Sequence, residues 1–198
     1  MKTKIFAAFI LSVVLIALSG CNNDIQPKTK SETVKSDTEF AASAVNENAE
    51  KSAETYAFPF AFTAEDFYGN AVTEASLGEK ELFFVHYWGT WCPPCVAEMP
   101  ELAGVAKEYG ERVGFIGLLD DYGSNVSGAI NIMDSAGIPQ SFIMVDAENK
   151  DLQELLSMVK SGYVPTTIII DKDGNMLGGQ LIGVYGEQYG TTLEQLLD

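Results

Sequence analysis

The strongest constraint on this chain is a junction near its middle. Residues 82–87, Leu-Phe-Phe-Val-His-Tyr, form a short apolar run bounded by turn signals, the pattern of a central strand covered on both faces. Trp88-Gly89-Thr90-Trp91 then leads into Cys92-Pro93-Pro94-Cys95. Two consecutive prolines suit the first turn of a helix, where the N–H groups they lack would have no intrahelical partner. The helix they open is expected to run to about Tyr109. A strand buried on both faces needs cover on each side of its sheet, so this junction points to an α/β layer structure.

The flanking sequence continues the alternation. Residues 113–119, 142–145 and 166–170 read as strands, the last of them β-branched. Residues 127–136, closed by Gly137, and 151–160 read as helices; in the second, Leu152, Leu155, Leu156 and Val159 share one face. Asp173-Gly174 is a strong hairpin signal ahead of a strand over 175–182, and a last helix is expected over 192–197. Upstream, Phe58, Phe60 and Phe62 alternate as a half-buried strand would. Together with 66–72 and its Gly69-Asn70 turn, they read as an opening hairpin. The expected fold class is α/β, a mixed central sheet flanked by helices, with an N-terminal hairpin and antiparallel edge strands. Hydrophobic residues make up 46% of the chain, enough for a packed core, and no internal repeat is visible.

At the N-terminus, Lys2 and Lys4 precede an apolar run over residues 5–18 that ends in Leu18-Ser19-Gly20-Cys21. The run falls short of the roughly 20 apolar residues a spanning helix needs. Small residues follow it, so residues 1–20 read as a secretory signal peptide rather than a permanent transmembrane anchor. Leu-Ser-Gly-Cys resembles a bacterial lipobox, which implies cleavage before Cys21, a lipid on that cysteine, and attachment to the extracytoplasmic face of a membrane. Residues 21–56 are rich in small and polar side chains and read as a flexible tether, leaving 57–198 as the folded domain. The formal net charge is −16, which repels phosphate backbones and excludes nucleic acid as a partner. Loss of Lys2 and Lys4 on export makes the mature chain more acidic still.

The chain has three cysteines, and a lipid on Cys21 leaves only Cys92 and Cys95. In an oxidising compartment such a pair is either structural or the chemistry itself. Free N–H groups and the macrodipole at a helix start favour an anion, so the Cys92 thiolate, the form that attacks disulfides, is stabilised there. Cys95 lies one helical turn on, within disulfide reach, and can resolve the mixed disulfide. Pro93 and Pro94 each remove a donor that would have held the thiolate, which points to a moderately reducing pair. Trp88 reads as core and Trp91 as part of the site. A zinc site would need four ligands, and beyond the two cysteines only His86 and carboxylates remain. Haem attachment would need His where Val96 stands. A peroxidase would need an isolated cysteine. No metal and no cofactor are therefore expected.

With Trp-Cys-x-x-Cys, Val164-Pro165-Thr166 and the Glu98-Met99-Pro100 run in view, the chain resembles the thioredoxin superfamily. Within it, the resemblance is to the membrane-anchored TlpA/ResA-like thiol-disulfide oxidoreductases, and it covers residues 58–198. It implies a thioredoxin-like fold, a cis-proline at Pro165 facing the sulfurs, and Val164 in the substrate groove. It also implies an acid near the site at Glu98, a kinked first helix at Pro100, and an extra strand and helix within 120–162. The chain departs from the family at His86, where thioredoxin has Asp and ResA-like proteins often Asn. As the only histidine, His86 reads either as a proton acceptor for Cys95 or as a neutral, hydrogen-bonded core residue. Glu98 reads either as an active-site acid or as an exposed acid favoured by the helix dipole.

The implied activity is reduction of disulfides in exported proteins, with apocytochrome c (cytochrome c maturation) or a methionine sulfoxide reductase as candidate substrates. The resemblance further implies a transmembrane thiol-reductant carrier that regenerates the dithiol. The rival reading is a thioredoxin-fold binding or adaptor lipoprotein in which Cys92–Cys95 is a structural disulfide. So short a loop contributes little stability, which weakens that reading.

Overall fold

The computed structural model describes residues 54–198; the expected signal peptide, Cys21 and most of the expected tether lie outside the described residues. The Tyr56 N–H donates to Lys80 O (2.7 Å) and the Lys80 N–H to Tyr56 O (2.8 Å), tying the start of this region to the strand that follows. A small hairpin comes next, β1 (Thr63–Glu65) antiparallel to β2 (Ala71–Thr73).

The opening hairpin is therefore displaced from the expected one. Phe58, Phe60 and Phe62 form no strand; Phe58 and Phe62 are buried and Phe60 is half-buried. Pro59 cannot donate to a ladder, and the Phe58 ring instead sits 5.1 Å from that of Phe83, edge to face. The Gly69-Asn70 turn is present: Asp66 N–H donates to Asn70 O, and Gly69 takes φ +84°, which a side chain would disfavour.

Five strands make the main sheet: β3 (Leu82–Trp88), β4 (Val113–Leu119), β5 (Phe142–Asp146), β6 (Thr166–Ile170) and β7 (Met176–Ile182). Their order is β5-β4-β3-β6-β7, with β3, β4 and β5 mutually parallel and β6 and β7 antiparallel. The mixed sheet and the Asp173-Gly174 hairpin are as expected. Every residue of β3 is buried, because it is the central strand with helices on both faces.

Parallel neighbours need helical crossovers. α1 (Pro93–Tyr109) joins β3 to β4, running through Pro100, and α2 (Tyr122–Ala136) joins β4 to β5. α3 (Gln153–Val159) then carries the chain back across the sheet to β6. Residues 120–162 thus hold the two helices and one strand that the sequence pattern predicts there, because β5 and β6 lie at opposite sides of the β4–β3 pair. α2 begins earlier than expected, with a break at Asn125 (φ −150°, ψ 39°), whose side-chain amide donates to Thr90 Oγ1 at 2.7 Å. It ends at Gly137 in the left-handed conformation, as expected. Leu152, Leu155, Leu156 and Val159 are all buried, although the first turn containing Leu152 is a 3-10 turn. α4 (Gln188–Leu197) starts four residues before the expected position and buries Tyr189 and Leu193.

Alternation along β3 splits the core. Phe84, His86 and Trp88 face the α1 and α4 side with Met99, Leu102 and Tyr189. Phe83, Val85 and Tyr87 face the α3 side with Leu152, Leu155 and the Phe58–Phe62 cluster. Among the described residues no helix is long and apolar enough to cross a membrane.

Candidate active site at the start of the first long helix

Strand β3 ends at Trp88, whose ring is fully buried against the cysteines. The chain then turns through Gly89, Thr90 and Trp91 into α1. Asp121 secures this turn by accepting from the Thr90 N–H (2.9 Å) and the Thr90 hydroxyl. A Cβ on Gly89 would come 2.6 Å from the Trp91 ring, so glycine there lets the indole fold back over the backbone. Trp91 is nonetheless 60% exposed, unlike Trp88.

Cys92 is the N-cap of α1, and Pro93 and Pro94 occupy its first two positions. Cys92 and Cys95 form a disulfide. Cys92 Sγ accepts a hydrogen bond from the Cys95 N–H at 3.2 Å, the first backbone donor that the prolines leave available. The Val164–Pro165 bond is cis, and the Val164 carbonyl oxygen lies 3.6 Å from Cys92 Sγ. Cys95 is fully buried and Cys92 is 3% exposed, so access to the sulfurs is restricted to one edge. Beside that edge lies a cleft lined by Tyr87, Trp91, Asp120, Lys160, Tyr163 and Val164. Asp120 accepts from the Tyr87 hydroxyl, and burial pushes that phenol well above its usual range. Tyr163 is 70% exposed.

Glu98 lies one turn beyond Cys95 on α1 and is buried, so its carboxyl is not the solvated acid of a helix start. Burial pushes it up to about 7, against weaker opposition from the Tyr189 hydroxyl and a backbone hydrogen bond from Tyr185. His86 on β3 is also fully buried, and burial lowers it to about 3. The imidazole is neutral at physiological pH. Its Nδ1 is 2.9 Å from Thr167 Oγ1, and its Nε2 is 3.6 Å from Glu98 Oε1. That second contact has the spacing of an ion pair but not the charges, since both groups are pushed towards neutrality.

All of the sequence-derived site residues in the domain therefore converge: Cys92, Cys95, Trp91, Pro93, Pro94, Glu98 and His86 around α1, Val164 and Pro165 across from them. Sequence reasoning missed Thr167, Tyr189, Tyr163 and Asp120. The spacing of Tyr189, Leu193 and Leu196 carries a helical signal for Tyr189, but Gly190 and two threonines interrupt it.

The AhpC/TSA family matches residues 55–177. The chain belongs to this family. AhpC/TSA membership agrees with the thioredoxin-superfamily reading, and the relatives narrow it. The "Thiol-disulfide oxidoreductase ResA" of Bacillus thuringiensis (strain Al Hakam) is 30% identical over 122 residues, 62% of this chain and 66% of that protein. The "Thiol:disulfide interchange protein DsbE" of Pseudomonas aeruginosa is 32% identical over 133 residues, 64% of this chain and 67% of its own. The match thus spans slightly under two thirds of the ResA relative. Among solved structures, a thiol:disulfide interchange protein of the thioredoxin family from Chlorobium tepidum superposes with a TM-score of 0.56 at 24% identity. It covers 74% of this chain and 99% of that one, and the fold is thioredoxin-like.

Proposed function

We propose that the chain is a thiol-disulfide oxidoreductase that reduces disulfides in exported proteins. The observation that carries this reading is the Cys92–Cys95 disulfide at the start of α1, with Cys92 Sγ accepting the Cys95 N–H and facing the Val164 carbonyl. The names of the ResA and DsbE relatives support the same activity.

In the reduced protein the Cys92 thiolate attacks one sulfur of a substrate disulfide, and the other sulfur leaves as a thiolate. Cys95 then attacks Cys92 Sγ, the mixed bond breaks, and the substrate departs with both sulfurs reduced. The Cys95 proton passes to Glu98, one turn away, in its carboxylate form. Glu98 titrates near neutral pH, whereas His86 is too weak a base to take that role. A dithiol carrier in the membrane returns two electrons and two protons. The exposed rings of Trp91 and Tyr163 and the backbone of Val164 line the approach of the substrate chain.

Attachment through a lipid on Cys21, after removal of residues 1–20, places this chemistry on the extracytoplasmic face of a bacterial membrane, with residues 21–56 supplying reach. The candidate substrates are apocytochrome c or an exported methionine sulfoxide reductase, and the dithiol itself needs no cofactor.

Cys95→Ser tests the function. It is expected to arrest the reaction at the mixed disulfide and to retain substrates that a reducing gel releases. A variant that captures no exported protein would favour the adaptor reading, and a Cys92–Cys95 potential near those of strong oxidants would reverse the direction. Cys21→Ser is expected to release the protein from membranes.

A further inference from the structure

Four side chains from four elements close a ring one helical turn beyond Cys95: His86 from β3, Thr167 from β6, Tyr189 from α4 and Glu98 from α1. Three sides of the ring are hydrogen bonds. His86 Nδ1 lies 2.9 Å from Thr167 Oγ1, the Thr167 hydroxyl donates to Tyr189 Oη at 3.3 Å, and the Tyr189 hydroxyl donates to Glu98 Oε2 at 3.1 Å. On the fourth side, His86 Nε2 and Glu98 Oε1 face each other at 3.6 Å, and both are buried with no hydrogen-bond partner among the described residues.

Proton counting orients the ring. A hydroxyl has one proton to give. Tyr189 gives its proton to Glu98, and Thr167 gives its proton to Tyr189. Thr167 Oγ1 is then left to accept from His86, which places the imidazole proton on Nδ1. Nε2 is consequently a bare lone pair aimed at Glu98 Oε1. An ionised Glu98 would set two acceptors face to face where no water reaches, a costly arrangement. A carboxylic acid with its proton on Oε1 can donate across the gap and complete the ring.

We propose that His86 is a positioning residue whose tautomer, set through Thr167 and Tyr189, holds Glu98 as a neutral acid while Cys92–Cys95 is oxidised. The inference rests on the exchange reaction above and deepens it: the proton that Glu98 takes from Cys95 is retained because the bare imidazole nitrogen stabilises the acid over its anion. The surrounding groups act in the same direction. Burial keeps His86 from becoming an imidazolium, Glu101 on α1 disfavours a second negative charge, and burial raises the Tyr189 phenol, keeping it a donor. The Tyr185 backbone and the Tyr189 hydroxyl oppose it, both favouring the anion, but by less than burial disfavours it.

His86 is the only histidine, so its two ring nitrogens can be assigned without ambiguity in the full-length protein. Long-range proton–nitrogen NMR of the oxidised, [15N]histidine-labelled chain at neutral pH is expected to show Nδ1 protonated and Nε2 bare. An Nε2-protonated ring or an imidazolium would overturn the proposal, with no variant needed. Thr167→Val removes the Nδ1 acceptor. It is expected to move the proton to Nε2, which can then donate to a carboxylate, and to raise the acid dissociation constant of Glu98 about tenfold, read from its carboxyl carbon. An unchanged tautomer and titration in that variant would equally refute the idea. Both readings come from the resting oxidised protein, so they stand even if Cys95→Ser captures nothing.

Discussion

Glu98→Gln is expected to remove a loss of about 3–4 kcal/mol in the stability of the oxidised protein as pH rises from about 4 to about 8. In the unfolded chain the carboxyl ionises at its ordinary 4.5, and in the fold burial pushes it up to about 7. Between these values the folded state holds a proton that the unfolded state has released, so stability falls as pH rises. Below 4.5 both states carry the proton and nothing is lost; above about 7 both have released it and the full penalty of a buried charge applies. The interval from 4.5 to about 7, at about 1.4 kcal/mol for each pH step, gives about 3–4 kcal/mol. The amide keeps the shape, accepts from Tyr189 and offers an N–H towards His86, but carries no charge at any pH. Urea denaturation of the oxidised variant and the parent across this range isolates the effect, because every other carboxylate is common to both and cancels in the difference. Parallel stability curves would show that Glu98 ionises alike in both states, and the buried-acid reasoning would fail.

Phe58→Ala is expected to cost about 3–5 kcal/mol, although Phe58 lies in no strand, because its ring packs on Phe83 and Phe62; a urea midpoint close to the parent's would contradict that packing. Trp91→Ala, at a ring 60% exposed, is expected to change stability by no more than about 0.5 kcal/mol. The same variant should lower kcat/KM for a protein disulfide while leaving reactivity with a small disulfide near the parent's. An equal loss with both substrates would remove Trp91 from the docking edge.

The legible part of this protein is the part set by neighbours along the chain. Cys92-Pro93-Pro94-Cys95 places two sulfurs one turn apart at a helix start wherever that helix is packed, so the reactive pair can be read without a fold. Period and punctuation likewise reveal β3, α1, the Leu152–Val159 face and the Asp173-Gly174 hairpin, because each depends on local geometry. The Phe58–Phe62 segment shows the limit of such patterns: its period suits a strand, but Pro59 and the waiting face of Phe83 make it a loop whose rings fill the core.

What tertiary structure alone decided is the environment of the buried groups. Glu98 has the sequence context of a solvated acid in an early helix turn as much as that of an active-site group. It is buried because α4 and β3 close over that face of α1. His86, Glu98, Thr167 and Tyr189 span more than a hundred residues of chain, and no local pattern ties them together. Order of strands puts β6 beside β3, so that Thr167 meets His86 and Val164 meets Cys92. A cysteine's place on a helix is a property of its neighbours in sequence, whereas the protonation of an acid beneath it depends on which distant side chains exclude water from it.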